Sequence, residues 1–242
     1  MLILVAHGTR SIAGVQMVHD LGAAVASRIG SLRTAFVDIL GPNPAEVLAQ
    51  VSGPAVVVPA FLASGYHVHA DLPARIAESR HADVSVTAAL GPDPELAVVM
   101  RDRLREVGWR PGDEVVMAAA GSSDSRAHRE LRYAAALLAQ GVGPVQIGFV
   151  ATGAPRLGDV VSRLRAAGRR RVFIASYLLA PGLFHDRLAA CDATEVAAPL
   201  GMHPRVVDLV VARAETVFRQ AATRTYAANL QSRRSERVAD VA

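Results

Sequence analysis

The chain is one module written twice, and this internal repeat restricts the fold more than any other feature of the sequence. "AHGTR" (6–10) is matched by "AAGSS" (119–123), an offset of 113 residues from His7 to Ala120. At the same offset "AFVD" (35–38) faces "GFVA" (148–151), and Glu46-Val47 faces Asp159-Val160. "PAFLASGY" (59–66) matches "SYLLAPGL" (176–183) at an offset of 117, and "ALGPDPEL" (89–96) matches "PLGMHPRV" (199–206) at 110. Matched segments in unbroken order along the whole chain imply a duplication.

Each copy reads as strands alternating with helices. Short apolar, β-rich runs fall at 2–6, 33–39, 55–61 and 84–90, with helix-period segments at 14–29, 43–51, 71–79 and 93–107. The turn-rich "GWRPGD" (108–113) breaks the pattern, which restarts with strands at 114–120, 145–151, 171–178 and 194–200. Alternation of this kind predicts βαβ units and parallel sheets. The expected fold is α/β: two tandem duplicated domains, each a small parallel four-stranded sheet flanked by helices, with an interdomain cleft. The expected boundaries are 1–112 and 113–222, followed by a basic, solvated tail at 223–242. Ligands in such folds bind at the C-terminal ends of the strands.

Composition narrows the class. Of 242 residues, 51% are hydrophobic and 20% charged, as in globular proteins. No apolar run reaches the roughly 18 residues of a membrane span, and "MLILVAHG" reads as a strand rather than a secretory leader. The single cysteine, Cys191, forms no intrachain disulfide and cannot by itself hold an iron–sulfur cluster. A cytoplasmic location is the expectation. Net charge is +4 and all 26 basic residues are arginine, scattered rather than striped, with few aromatics. That argues against a nucleic-acid surface and suits a ligand bearing carboxylates, which the guanidinium fork binds bidentately.

The repeat also isolates the chemistry. His7 ends the first strand, and His67 follows the third in "AFLASGYHVHADLP" (60–73). In the second copy these positions are Ala120 and Phe184. The fold therefore requires neither histidine, and both are expected on one sheet edge facing the cleft. Two neutral imidazoles make a half-complete metal site with most coordination positions open, suited to an ion in transit. Arg10 is the leading cation for an anionic ligand. Gly121, Ser122 and Ser123 are expected at a helix start, where backbone N–H groups attract anions, or as ordinary caps. His185 is expected to face the cleft from the second half. Asp71 reads as an N-cap or a proton acceptor, His69 as a helper only if its segment stays extended, and His19, His81 and His128 as solvated.

"HGTR" (7–10) and "FLASGYHVHADLP" (61–73) resemble the motifs of the class II chelatases, the sirohydrochlorin chelatase family; the longer segment is similar to that family's Phe-Leu…Gly-x-His-x-x-x-Asp-Ile-Pro signature. "SYLLAPGLFHDRL" (176–188) resembles the counterpart in two-domain members. The likeness runs from residue 1 to about residue 218. It implies an enzyme that inserts Fe2+ or Co2+ into sirohydrochlorin or a related tetrapyrrole, in sirohaem or cobalamin biosynthesis. It implies that His7 and His67 are the catalytic and metal-handling pair; Arg10, Gly65, Tyr66, Gly121, Ser122, Ser123 and His185 are the residues expected to bind such a substrate. No tightly bound cofactor is expected, because the divalent metal is itself a substrate. The partners are that metal and the tetrapyrrole, and a monomer suffices if one chain supplies both walls of the cleft. The histidine-rich tails and cysteine clusters of some members are missing, so no storage site is implied.

Three other readings compete. A non-enzymatic metal or tetrapyrrole carrier would keep both histidines and lack turnover. A histidine-phosphatase-like hydrolase would need an arginine where Ala6 stands. A serine hydrolase using "GSSDS" (121–125) lacks the last glycine of the nucleophile elbow.

Overall fold

The apolar runs form two parallel sheets with one shared plan. The computed structural model describes residues 1–219, so the expected tail at 223–242 lies outside the described residues. The first sheet contains β1 (Leu2–Ala6), β2 (Leu32–Phe36), β3 (Ala55–Pro59) and β4 (Val84–Val86) in the order β2-β1-β3-β4. The second contains β5 (Glu114–Gly121), β6 (Val145–Thr152), β7 (Val172–Tyr177) and β8 (Glu195–Val196) in the order β6-β5-β7-β8. All pairings are parallel. Helices cover both faces, which is why "LILVA" and "AVVVP" are buried along their whole length rather than alternately.

The helices repeat in register. α1 (Ile12–Ile29) and α5 (Ser125–Val142) have the same bounds at the 113-residue offset, each ending on a glycine with positive φ, Gly30 and Gly143. The first half adds α2 (Pro44–Leu48), α3 (Leu72–Ser79) and α4 (Pro94–Glu106). The second adds α6 (Leu157–Ala166), the short α7 (Leu183–Asp186) and the helical residues 204–219, here α8.

The last helix of each half reaches across the expected boundary at 112. α4 packs against α5 and β7 of the second half. α8 is tied to the first half: Asp208 pairs with Arg28 of α1, Arg205 with Glu95, and Arg213 with Asp93 at 2.9 Å. Arg213 also donates to the carbonyls of Ala89 and Leu90. The main core accordingly joins Leu4, Val58 and Leu96 of the first half to Met117, Phe173, Val206 and Val210 of the second.

Three sequence expectations need correction. The strands expected at 84–90 and 194–200 shrink to Val84–Val86 and Glu195–Val196, the residues that pair with Ala55–Val57 of β3 and with Phe173–Ile174 of β7. The helix expected to start at Gly121–Ser123 starts at Ser125, with the Asp124 carboxylate accepting from the Arg126 N–H at 2.8 Å. His67 does not extend a strand. It opens a π-helical turn (His67–Asp71) seven residues beyond Ala60. Among the described residues no helix is long and apolar enough to cross a membrane.

Candidate metal-handling site in the cleft

The C-terminal ends of both sheets open into one cavity of about 700 Å³. Residues 6–11, 60–63 and 65–67 line it from the first half, and 119–123 and 177–185 from the second. All nine residues singled out from the sequence are on its wall: His7, Arg10, Gly65, Tyr66 and His67 on one side, Gly121, Ser122, Ser123 and His185 on the other. His69 is not; the helical turn carries it out to the surface.

His7 is placed by the end of β1. Asp38 N–H donates to the His7 carbonyl at 3.0 Å, and Gly8 turns the chain with φ +100°. A Cβ on Gly8 would stand 2.1 Å from the Asp38 carbonyl oxygen. The same turn recurs at Gly121 (φ +92°), where a Cβ would stand 1.7 Å from the Thr152 carbonyl oxygen. The backbone that presents His7 is thus duplicated, and Ala120 fills the equivalent place.

His67 is placed by the π-helical turn. The Leu72 N–H donates to the His67 carbonyl, five residues back, and Pro73 follows without an N–H of its own. The wider turn brings Asp71 beside the imidazole, with His67 Nδ1 to Asp71 Oδ2 at 3.0 Å. Asp71 caps no backbone group, so its expected N-cap role gives way to this contact. Phe61 stacks on the His67 ring at 6.2 Å between centroids.

The two imidazoles meet edge to face, 4.6 Å between centroids and 84° between planes. Their hydrogen bonds set the tautomers. His67 Nδ1 faces a carboxylate and His7 Nδ1 faces the Gly8 carbonyl at 3.2 Å, and both partners are acceptors. Each Nδ1 must therefore carry the proton, which leaves each neutral ring with its lone pair on Nε2. A carboxylate behind a ligating histidine orients the ring and raises its basicity. One ion with metal–nitrogen bonds of about 2.0–2.1 Å can span ring nitrogens roughly 4 Å apart, within reach of rings this close. Among the described residues no cluster of three or more histidine, cysteine or acidic side chains stands ready to enclose a metal.

The opposite wall differs. Ala120 and Phe184 stand where the sister half has its histidines. His185 Nε2 donates to the Ala197 carbonyl at 3.3 Å. The anion-attracting helix end expected at 121–123 is taken by Asp124, whose carboxyl is held below its ordinary value by the Arg126 guanidinium. Ser122 Oγ accepts from the Asp124 N–H at 3.0 Å, and His128, expected to be solvated, is half-buried with Nε2 on the Ser122 carbonyl at 2.6 Å. Arg10 makes no hydrogen bond or ion pair with another described residue, so its guanidinium is available to a ligand.

The sequence matches CbiX over residues 1–107 and again over 114–217, once for each half. The chain belongs to the CbiX family. Its fold is shared with SirB from Bacillus subtilis solved with Fe3+, at 22% identity and a TM-score of 0.75, covering 88% of this chain and 93% of that one. It is also similar to the sirohydrochlorin chelatase SirB from Bacillus subtilis subspecies spizizenii in complex with cobalt (22% identity, TM-score 0.71, 88% and 92% covered). A third similar structure is a CbiX described as the terminal enzyme for biosynthesis of siroheme in denitrifying bacteria (22%, 0.67, 89% and 98%). No curated protein matches the chain. Within this CbiX member, Asp71 is the neighbour of His67 whose place the sequence alone leaves open.

Proposed function

We propose that this protein is a metal chelatase that inserts Fe2+ or Co2+ into sirohydrochlorin or a closely related tetrapyrrole, serving sirohaem or cobalamin biosynthesis. The observation that carries this reading is the pair of facing imidazoles, each with Nδ1 committed to an acceptor and Nε2 free. Family membership and relatives solved with Fe3+ and with cobalt support it.

The residues suit the reaction. His7 and His67 bind the incoming ion through neutral nitrogen and leave its other positions to water. Ring nitrogens of the macrocycle replace those waters one by one. The two pyrrole N–H protons must leave as the divalent ion enters, and an imidazole that releases the metal is free to accept one. Two ligands hold the ion less tightly than a closed four-ligand site, so the product is not trapped. Imidazole accepts both Fe2+ and Co2+, consistent with either as substrate. Arg10, exposed on the cleft wall, offers a guanidinium suited to a substrate carboxylate.

The test is metal insertion followed by absorbance, with purified protein, sirohydrochlorin and Co2+ or Fe2+. Wild-type protein is expected to turn over. His7→Ala and His67→Ala are expected to lose activity by about 100-fold or more while keeping the wild-type circular dichroism and melting temperature. His81→Ala, outside the cleft, is expected to behave as wild type. Full turnover by both cleft variants would overturn the proposal. Metal and tetrapyrrole binding without turnover in the wild type would identify a carrier instead.

A further inference from the structure

The His67 loop is held by the half of the molecule that has no cleft histidine pair. After Pro59 the chain crosses residues 60–66 before the π-helical turn. Tyr177, the last residue of β7, donates its hydroxyl to the Leu62 carbonyl at 2.9 Å. Glu130 of α5 accepts a hydrogen bond from the Ser64 N–H.

Both loops of the duplicated pair dock on the opposite half, so docking alone distinguishes nothing. A Cβ on Gly65 would lie 3.4 Å from Ser122 Oγ and 3.9 Å from the Ala127 Cβ. In mirror image, a Cβ on Gly182 would lie 3.0 Å from Thr9 Oγ1, and one on Gly14 would lie 2.5 Å from the Pro181 carbonyl oxygen. Thr9 and Gly14 are the 113-residue counterparts of Ser122 and Ala127.

The polar anchors are not duplicated. At the same offsets Tyr177 corresponds to Ala60, Glu130 to Met17, and Ser64 to Pro181, which has no N–H to donate. Donor, acceptor and hydroxyl are each missing from the mirror set. Gly91 adds to the asymmetry: a Cβ there would meet the Leu62 carbonyl oxygen at 2.3 Å and the Tyr177 hydroxyl at 2.5 Å, so only glycine leaves room for this bond. A Cβ on its counterpart Gly201 would meet nothing closer than 3.7 Å. The split between the two halves follows that of the histidines themselves, His7 and His67 against Ala120 and Phe184.

We propose that Tyr177 and Glu130 are positioning residues for metal capture: they fix the 60–66 loop so that His67 stays against His7 before an ion arrives. This rests on the reading of His67 as a metal ligand. The phenol is suited to the task. Tyr177 is buried, and burial, with the charges of Glu130 and Asp93 adding to it, pushes its ionisation far above the ordinary range, so it remains a donor. Without the anchors the loop samples positions with the rings apart, and apparent metal affinity falls by the fraction of time the rings are together.

The test is Co2+ binding to the full chain, read by calorimetry and by the Co2+ absorption bands, beside the kinetics of insertion into sirohydrochlorin. Tyr177→Phe and Glu130→Ala are each expected to weaken Co2+ binding roughly tenfold, the scale of one lost hydrogen bond, and to leave the KM for sirohydrochlorin within about twofold. Glu130→Gln keeps an oxygen that can accept the Ser64 N–H and is expected to restore Co2+ affinity. Glu130 lies mid-helix and half-buried, so its alanine variant is expected to fold. A lower melting temperature with unchanged Co2+ affinity would show the anchors to be structural only and overturn the inference. A wild-type protein that binds no Co2+ would instead overturn the reading of His67, and the anchors with it.

Discussion

At the scale of single residues, Asp71 decides which nitrogen of His67 is offered to the cleft. The carboxylate sits 3.0 Å from Nδ1, and Arg75 Nε stands 3.9 Å behind it. Asp71→Asn keeps the shape and brings an N–H that can donate to Nδ1 and move the ring proton to Nε2. Co2+ affinity and insertion rate are expected to fall about 10- to 100-fold, the usual cost of losing such a support, while thermal stability barely moves. Arg10→Ala acts on the other substrate: KM for sirohydrochlorin is expected to rise on the order of tenfold, with the Co2+ dissociation constant unchanged in the same titration. The place of His7, His67 and Arg10 on the cleft wall is legible in the sequence because each lies in the polar connection that follows a strand, and the histidines stand out because the sister half lacks them. Asp71 is legible only as two alternatives. A carboxylate just before a helix can cap the backbone or reach four residues back, and residue type does not choose between them.

At the scale of elements, the turn at the end of β1 presents His7 and depends on a glycine for two separate reasons. Gly8 has φ +100°, and the space its Cβ would need holds the Asp38 carbonyl. Gly30 isolates the first reason: it has φ +94° and nothing within 4 Å of a Cβ. Gly30→Ala is expected to cost about 1–2 kcal/mol, the penalty of left-handed backbone alone. Gly8→Ala must also displace the carbonyl and is expected to cost at least about 2 kcal/mol more, lowering the melting temperature by a further 4 °C or so. Comparable melting temperatures for the two variants would contradict this account. Most elements are legible because buried parallel strands are continuous apolar runs, and because the repeat lets each copy check the other. The π-helical turn is not. "HVHAD" has no periodicity that separates five-residue from four-residue hydrogen bonding. The start of α5 departs from expectation for a related reason: Ser122, Ser123 and Asp124 can all cap a helix, and the backbone takes the last.

At the scale of the whole molecule, Arg171 fastens the link between the halves. Its guanidinium binds the Asp113 carboxylate through two hydrogen bonds, at 2.7 and 3.0 Å, and reaches the Gly108 carbonyl at 2.9 Å. The bonds from Arg171 hold the Asp113 carboxyl below its ordinary value, against the effect of burial and with help from the Arg110 N–H. A carboxyl depressed in the folded state stabilises fully above the unfolded pKa of about 4 and loses that contribution as pH falls through the folded value. Asp113→Asn is therefore expected to be less stable than wild type at pH 7, with the difference closing below about pH 4 in acid-unfolding curves. A difference constant down to pH 2 would contradict the assignment. The reach of α4 and α8 across the halves is not legible in the sequence, since an amphipathic pattern states that a helix has a buried face without naming the sheet that buries it. The arrangement has a consequence in time. A ribosome releases β1 to β4 early, yet residues 204–219, which pair with Arg28, Glu95 and Asp93, are the last of the described chain to emerge. For most of its synthesis the half that carries the histidines waits for a helix that has not yet been made.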